Sequence, residues 1–360
     1  IDDLIVLSRS GEILSFFLSS PLAVFTVNST GSGEDDDPGD GTCDDGSGKC
    51  TLVAAIEESN AQAGFDLIQF NISGSGTPVI SVSSLPQATG VVSIDGTTQF
   101  SGFVEIVGDA IDLQGGNSSV RGIIAPGIHL TFAGNNLVEG NVLGSTFEPG
   151  ILAGSSDGNT IGGTTAQARN IFTNSSSYGI WLSGSNDNLI QGNYIGVDET
   201  GGTAAPNQLG GIMVAASSGN TIGGTEPGAG NVISGHAATA GVTISVAFQD
   251  ATPIPADDNL VQGNLIGLAA DGTTGLGNAV GIMVLGTGTE ENSIGGFSPG
   301  ARNVISGNRV AELVPGLEAF GWGINLGTES GPTTVIGNYI GTDATGMQPI
   351  PNESYGIIIT

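Results

Sequence analysis

Seven carboxylates fall within residues 34–45: Glu34, Asp35, Asp36, Asp37, Asp40, Asp44 and Asp45. Packed together they repel, and a hard divalent cation relieves that repulsion while taking about six to eight oxygen ligands. The spacing Asp35-x-Asp37-x-x-Asp40 is similar to a calcium loop without matching the EF-hand pattern. Calcium on Asp35, Asp37, Asp40 and Asp44 is therefore one expectation, and a solvated acidic turn is the other. Acid–base chemistry has weaker candidates. Glycoside hydrolysis needs two carboxyl groups facing one cleft, ~5–9.5 Å apart. The adjacent pairs Asp257-Asp258 and Glu290-Glu291 precede repeat strands, and neighbouring strand residues point to opposite faces, so they read as turn acids. Lyases acting on acidic glycans need a basic proton abstractor and cations for the uronate carboxylates. Arg9, Lys49, Arg121, Arg169, Arg302 and Arg309 are scattered, and Arg169 and Arg302 share one repeat position before Asn170 and Asn303. His129 alternates with Ile128 and Leu130 and is expected to face outward from a strand. His236 stands where an equivalent turn has Asn308, which favours corner geometry over general-base work. No Ser-His-Asp order, HExxH, Walker loop or GxGxxG before a helix occurs, and no catalytic residue is assigned.

The elements that hold these residues follow from composition and repeats. Glycine supplies 62 of 360 residues, while only 11% are charged, and the net charge is −29. Disorder usually combines low hydrophobicity with much charge, whereas 38% of this chain is hydrophobic. There is no Gly-X-Y period and no apolar run near ~18 residues, so neither a collagen helix nor a membrane-spanning helix is expected. With six basic residues the chain cannot neutralise phosphates, which argues against nucleic acid and anionic lipid as partners.

A short Asn/Thr-plus-aliphatic strand ending in glycine recurs eight times, starting at Ser118, Asn136, Asn159, Asn188, Asn220, Asn259, Asn292 and Thr333. On top of this, Gly192-Asn193-Tyr194-Ile195-Gly196 returns at Gly263 and Gly337, steps of 71 and 74 residues. The interleaved Asn220–Gly224 and Gly230–Gly235 forms return 72 residues on. Two unlike turns therefore alternate. A third strand recurs once per turn, at Gly179, Gly211, Gly241, Gly281, Gly323 and Gly356. Three short strands per repeat, bounded by Gly and Asn, specify an all-β fold: a three-sided parallel β-helix, or β-solenoid. Alternate aliphatics fill its interior, and Gly or Asn takes the left-handed corners. Extra residues belong in external loops such as 197–210, 245–257, 268–280, 311–322 and 342–355. Asp198, Asp271 and Asp343 recur in equivalent loops as turn caps. A β-propeller, the competing all-β reading, lacks the alternation of two turn types.

Residues 50–61 break the pattern and read as a short helix. Thr51 is its N-cap and Leu52, Ala55 and Ile56 form an i, i+3, i+4 apolar face. A helix across the first turn caps an end that would otherwise expose apolar interior and unpaired backbone. The chain stops at Gly356–Thr360 in mid-strand, so either further chain or another subunit is expected to stack there.

Cys43, the Pro-Gly-Asp-Gly stretch from Pro38 to Gly41, and Cys50-Thr51-Leu52-Val53-Ala54-Ala55-Ile56 resemble the motif of CSLREAI-type surface proteins. Ile94-Asp95-Gly96-Thr97-Thr98-Gln99, the Asn-Thr-Ile-Gly-Gly repeats and Ile340–Gly346 are similar to theirs as well, so the resemblance covers about residues 23–360. It implies a right-handed winding, secretion and display on a microbial surface, and no common chemistry. Val53 and Ala54 stand where that family tends to have Arg and Glu, so any ion pair made there is absent. Export agrees with the cysteines: a flexible loop can bring Cys43 and Cys50 within bonding distance, and a disulfide is favoured over free thiols in an exported chain.

The expected organisation is an N-terminal hairpin or donated strand over 1–22, a disulfide-bearing acidic loop and capping helix over 23–64, and the β-helix over 65–360. Two functions follow. The first is an extracellular structural or adhesive rod that associates end to end or meets a glycan or surface partner through its loops. Phe248, Phe320 and Trp322 are the aromatic contacts available for that, against ordinary packing. The second is a carbohydrate-active enzyme on the same scaffold.

Overall fold

The computed structural model describes residues 23–144, 147–250, 252–309, 320–327 and 329–360, and the backbone of 6–7 and 13–14. Among them, three parallel sheets of eleven, ten and nine strands wind about one axis. The eight strands recognised by their terminal glycine are consecutive members of the eleven-stranded sheet. Leu137, Thr160, Leu189, Thr221, Leu260 and Ser293 stand directly over one another. The chain is a three-sided parallel β-helix.

The interior follows from strand alternation. Val120, Val138, Ile161, Ile190, Ile222, Val261 and Ile294 form one fully buried column. Ala125, Leu143, Phe172, Ile195, Ile233, Ile266 and Ile305 form a second on the ten-stranded sheet. Each β-branched or aromatic side chain rests on its counterpart one turn below, so the core is a pile of like residues.

The helix Leu52–Ala61 plugs the first turn, with Leu52, Val53, Ala55 and Ile56 merged into the core. Thr51 caps it as expected: its Oγ1 accepts from Ala54 N at 3.0 Å and donates to Gly33 O at 2.6 Å. The buried face is broader than i, i+3, i+4, because Val53, Ala54, Glu58 and Ser59 are buried too. Glu58 tolerates burial by accepting from Gly39 N, Gly41 N and Gln62 Nε2. The sheet begins before this helix. Ala23–Val27 pairs in parallel with Phe65–Phe70, so among the described residues the helix is inserted between the first two strands of this sheet. Val6–Leu7 and Ile13–Leu14 pair antiparallel. The rest of 1–22, any donated strand, and residues 310–319 of one expected loop lie outside the described residues.

The corners divide a task that the sequence reading gave to single residues. The left-handed position is filled by whichever residue precedes the buried one: Asn135 (φ 58°), Gly158 (69°), Asp187 (55°), Gly219 (69°), Asp258 (56°) and Glu291 (56°). The asparagines that follow, Asn136, Asn159, Asn188, Asn220, Asn259 and Asn292, are buried and keep negative φ. Turning and inward hydrogen bonding need opposite side-chain directions, so two adjacent residues share them.

The alternation of two turn types has a geometric cause. In the long turns the chain leaves the ten-stranded sheet and doubles back, with bridges Val197↔Ala204, Leu268↔Gly275 and Thr342↔Pro349. The returning limb then bonds to the glycine of an intervening short turn, Gly235 N to Leu276 O at 2.5 Å and Gly307 N to Ile350 O at 3.1 Å. Successive loops also touch, Ala270 N to Gly201 O and Ala344 N to Gly272 O, both 2.9 Å. A doubled loop is two strand spacings thick, about 10 Å, against ~4.8 Å per turn. Only every second turn has room for one.

Candidate functional site

The acidic loop lies against the capping helix. Asp35 is buried, its Oδ1 accepting from Asp37 N at 3.1 Å and its Oδ2 from Asp44 N at 3.2 Å. Burial pushes its carboxyl up, against those bonds, and the nearby Glu58 and Asp36 charges add to the rise. Asp40 Oδ1 accepts from Thr42 N at 2.7 Å, and Asp44 Oδ1 from Gly48 N at 2.7 Å. The fold thus brings Asp35 beside Asp44 and leaves Asp37 and Asp40 exposed. Among the described residues no three His, Cys, Asp or Glu side chains gather to hold a metal ion. Cys43 and Cys50 form a disulfide with Cα atoms 5.0 Å apart, closing this loop just before the N-cap Thr51.

Several other titratable groups are engaged within the stack or its loops. His129 faces outward from its strand, as expected, with Nε2 2.9 Å from Glu148 Oε2. That carboxylate raises its pKa against the effect of burial. Arg169 and Arg302 donate to Gly192 O and Gly337 O and lie 3.9 and 4.0 Å from the ring centroids of Tyr194 and Tyr339. Arg121 bonds Asp95 at 2.6 Å across one turn. Asp198, Asp271 and Asp343 each accept backbone N–H groups of their own loop, which holds Asp271 down at about 2. Asp257 Oδ1 accepts from Glu290 N at 2.7 Å, continuing a surface ladder from Asp157 through Asn186 and Ser218. Phe248 is exposed, whereas Trp322 is buried and meets Phe320 edge-on.

Buried hydrogen-bond ladders run along the axis at all three corners. One climbs Ser118–Asn136–Asn159–Asn188–Asn220–Asn259–Asn292. The second climbs Asn141–Asn170–Asn193–Asn231–Asn264–Asn303–Asn338. In both, each Oδ1 accepts from the backbone N–H of the residue one turn below, and most accept an asparagine side-chain amide from there as well. The third is Ser175–Asn207–His236–Asn278–Asn308–Asn352. Asn278 Nδ2 is committed to Ile233 O and Asn308 Oδ1, so its Oδ1 faces His236 and fixes the tautomer with hydrogen on Nδ1. The recurrence of Asn before each aliphatic pair marked these rungs; that their amides point inward is visible only in the stack.

Soft-metal chemistry would need Cys, His or Met ligands brought together. The cysteines are in the disulfide, both ring nitrogens of His236 are engaged in its ladder, and His129 is on Glu148. Met213 and Met283 are separated by the strand carrying Thr243, and Met347 lies in an outer loop.

No curated protein matches the chain. A family model does match, over residues 97–245, and its description is NosD, periplasmic copper-binding protein. The residues within that stretch do not fit a copper site, since His129, His236 and Met213 are held apart in the separate settings just described. The chain is similar to the NosD family over the middle turns of its β-helix.

Proposed function

We propose that the protein works outside the cytoplasm as a stiff β-helical rod that displays its outer loops and stacks end to end. The observation that carries the rod is the set of three corner ladders, which run from Ser118 to Asn292, from Asn141 to Asn338 and from Ser175 to Asn352. Every rung ties one turn to the next by buried amide bonds, so bending the axis breaks several at once. The disulfide supports an oxidising compartment, and the periplasmic description of the matched family points the same way. At the last turn Ile357 and Ile359 continue the core columns of Ile324 and Leu326, yet are 46% and 70% exposed. A further layer of the same kind, from continuing chain or from a second rod, would cover them.

Electron microscopy of the full chain, with light scattering, tests this. Rods joining into filaments that Ile359→Glu disperses are expected. Compact particles, or filaments indifferent to that substitution, would remove the reading.

A further inference from the structure

We propose that a groove beside Phe132, at the corner leaving the nine-stranded sheet, binds a neutral saccharide. The first observation is a backbone one. Phe132 has φ 64°, a conformation costly for a bulky side chain, and no other described phenylalanine has a positive φ. The next three turns place Ser155 (φ 50°), Gly184 (58°) and Ala216 (49°) at the same corner position. The corner therefore needs a left-handed residue but not an aromatic one. Core packing does not need it either, because the ring is 79% exposed.

The second observation is what surrounds the ring. It flanks a groove of about 370 Å³ lined also by Asn135, Ser155, Asp157, Gly158 and Asp187. A Cβ at Gly158 would come within 2.8 Å of Asn135 Oδ1. The volume is at the small end of ligand clefts. An aromatic face beside an amide, a hydroxyl and two carboxylates suits a sugar ring: its C–H face lies on the aromatic face and its hydroxyls donate to the carboxylate oxygens. No lysine or arginine lines the groove, and Asp157 and Asp187 repel uronates and phosphates, so the ligand is uncharged. This site does not depend on end-to-end stacking.

The test uses the full chain, with cellohexaose, laminarihexaose and maltohexaose as neutral probes and hexagalacturonic acid as the anionic comparison. Calorimetry and saturation-transfer NMR should detect at least one neutral hexasaccharide and not the anionic one. Phe132→Ser, which installs the residue of the next turn, should weaken binding about tenfold while leaving the melting temperature unchanged or higher. Asp187→Asn should weaken it by a smaller factor. Failure of all three neutral probes, unchanged affinity in Phe132→Ser, or a melting temperature lowered as by a core truncation would overturn the site. So would binding that requires calcium, which would assign the carboxylates to an ion.

Discussion

His236 donates from Nδ1 to Asn278 Oδ1 at 3.0 Å, standing as one rung in a corner ladder otherwise built from asparagine and serine. Its other ring nitrogen faces Asn207 Nδ2 at 3.3 Å, so the neutral imidazole imitates an amide that accepts below and donates above. Burial lowers its pKa from 6.5 to about 4, against the opposing effect of the Asn278 bond.

The two histidines should therefore give pH dependences of opposite sign. His236 has a depressed folded-state pKa, so its contribution is intact above pH 6.5 and is lost as pH falls through about 4. The full loss is about 3 kcal/mol. His129 has a raised pKa, so the stabilisation from Glu148 is present below 6.5 and is lost as pH rises through the raised value. Urea unfolding of His236→Asn between pH 4 and 7 should be flatter than wild type on the acid side. Glu148→Gln should flatten the neutral side instead. An acid limb unchanged in His236→Asn would show that this ring does not carry it.

Ladder rungs should cost more in the middle than at the last turn. Asn193 Oδ1 accepts from Asn170 N and Nδ2, and its own Nδ2 reaches Ile161 O and Asn231 Oδ1. Asn193→Ala strands several buried groups at ~1–3 kcal/mol each, for a total of at least about 3 kcal/mol. Asn338 is only half-buried and water can replace its partners, so Asn338→Ala should cost about 1 kcal/mol. Chemical denaturation of both variants checks the ratio, and equal costs would contradict the ladder as a buried network.

Removing the disulfide should loosen the cap before the stack. Cys43 and Cys50 close a short loop, for which chain-entropy reasoning gives about 2 kcal/mol. Hydrogen exchange in Cys43→Ser/Cys50→Ser should rise over Leu52–Ala61 and stay near wild type over strands such as Leu189–Gln191. Uniform acceleration along the chain would mean that the cap and the stack unfold as one unit.

Copper should bind weakly or not at all. The soft side chains are disulfide-bonded, held in a ladder, paired with a carboxylate, or separated by a strand. Calorimetric titration with copper(I) and copper(II), with and without the Met213→Leu substitution, is expected to show no saturable site. A stoichiometric site lost in that variant would reverse this conclusion.

Much of the winding was legible before any coordinates, because the signal is local and repeated. An aliphatic at every second position and a glycine at each strand end recur often enough that register follows from the sequence, as Val138 over Val120 shows. The helix cap at Thr51 was legible for the same reason: it depends on residues three apart.

Other features depend on residues that meet only across turns. Asn136 and Asn135 are alike in sequence, yet one is buried as a ladder rung and the other turns the corner in a left-handed conformation. The meeting of Phe132 with Asp157 and Asp187, and the seating of Leu276 on Gly235, join positions 25 to 55 residues apart, at distances set by loop lengths. The amino-acid sequence by itself determined the winding, since each turn's own residues encode it. Which side chains share a groove or a ladder was decided by the tertiary stack, because the axial rise aligns residues that no fixed spacing along the chain relates.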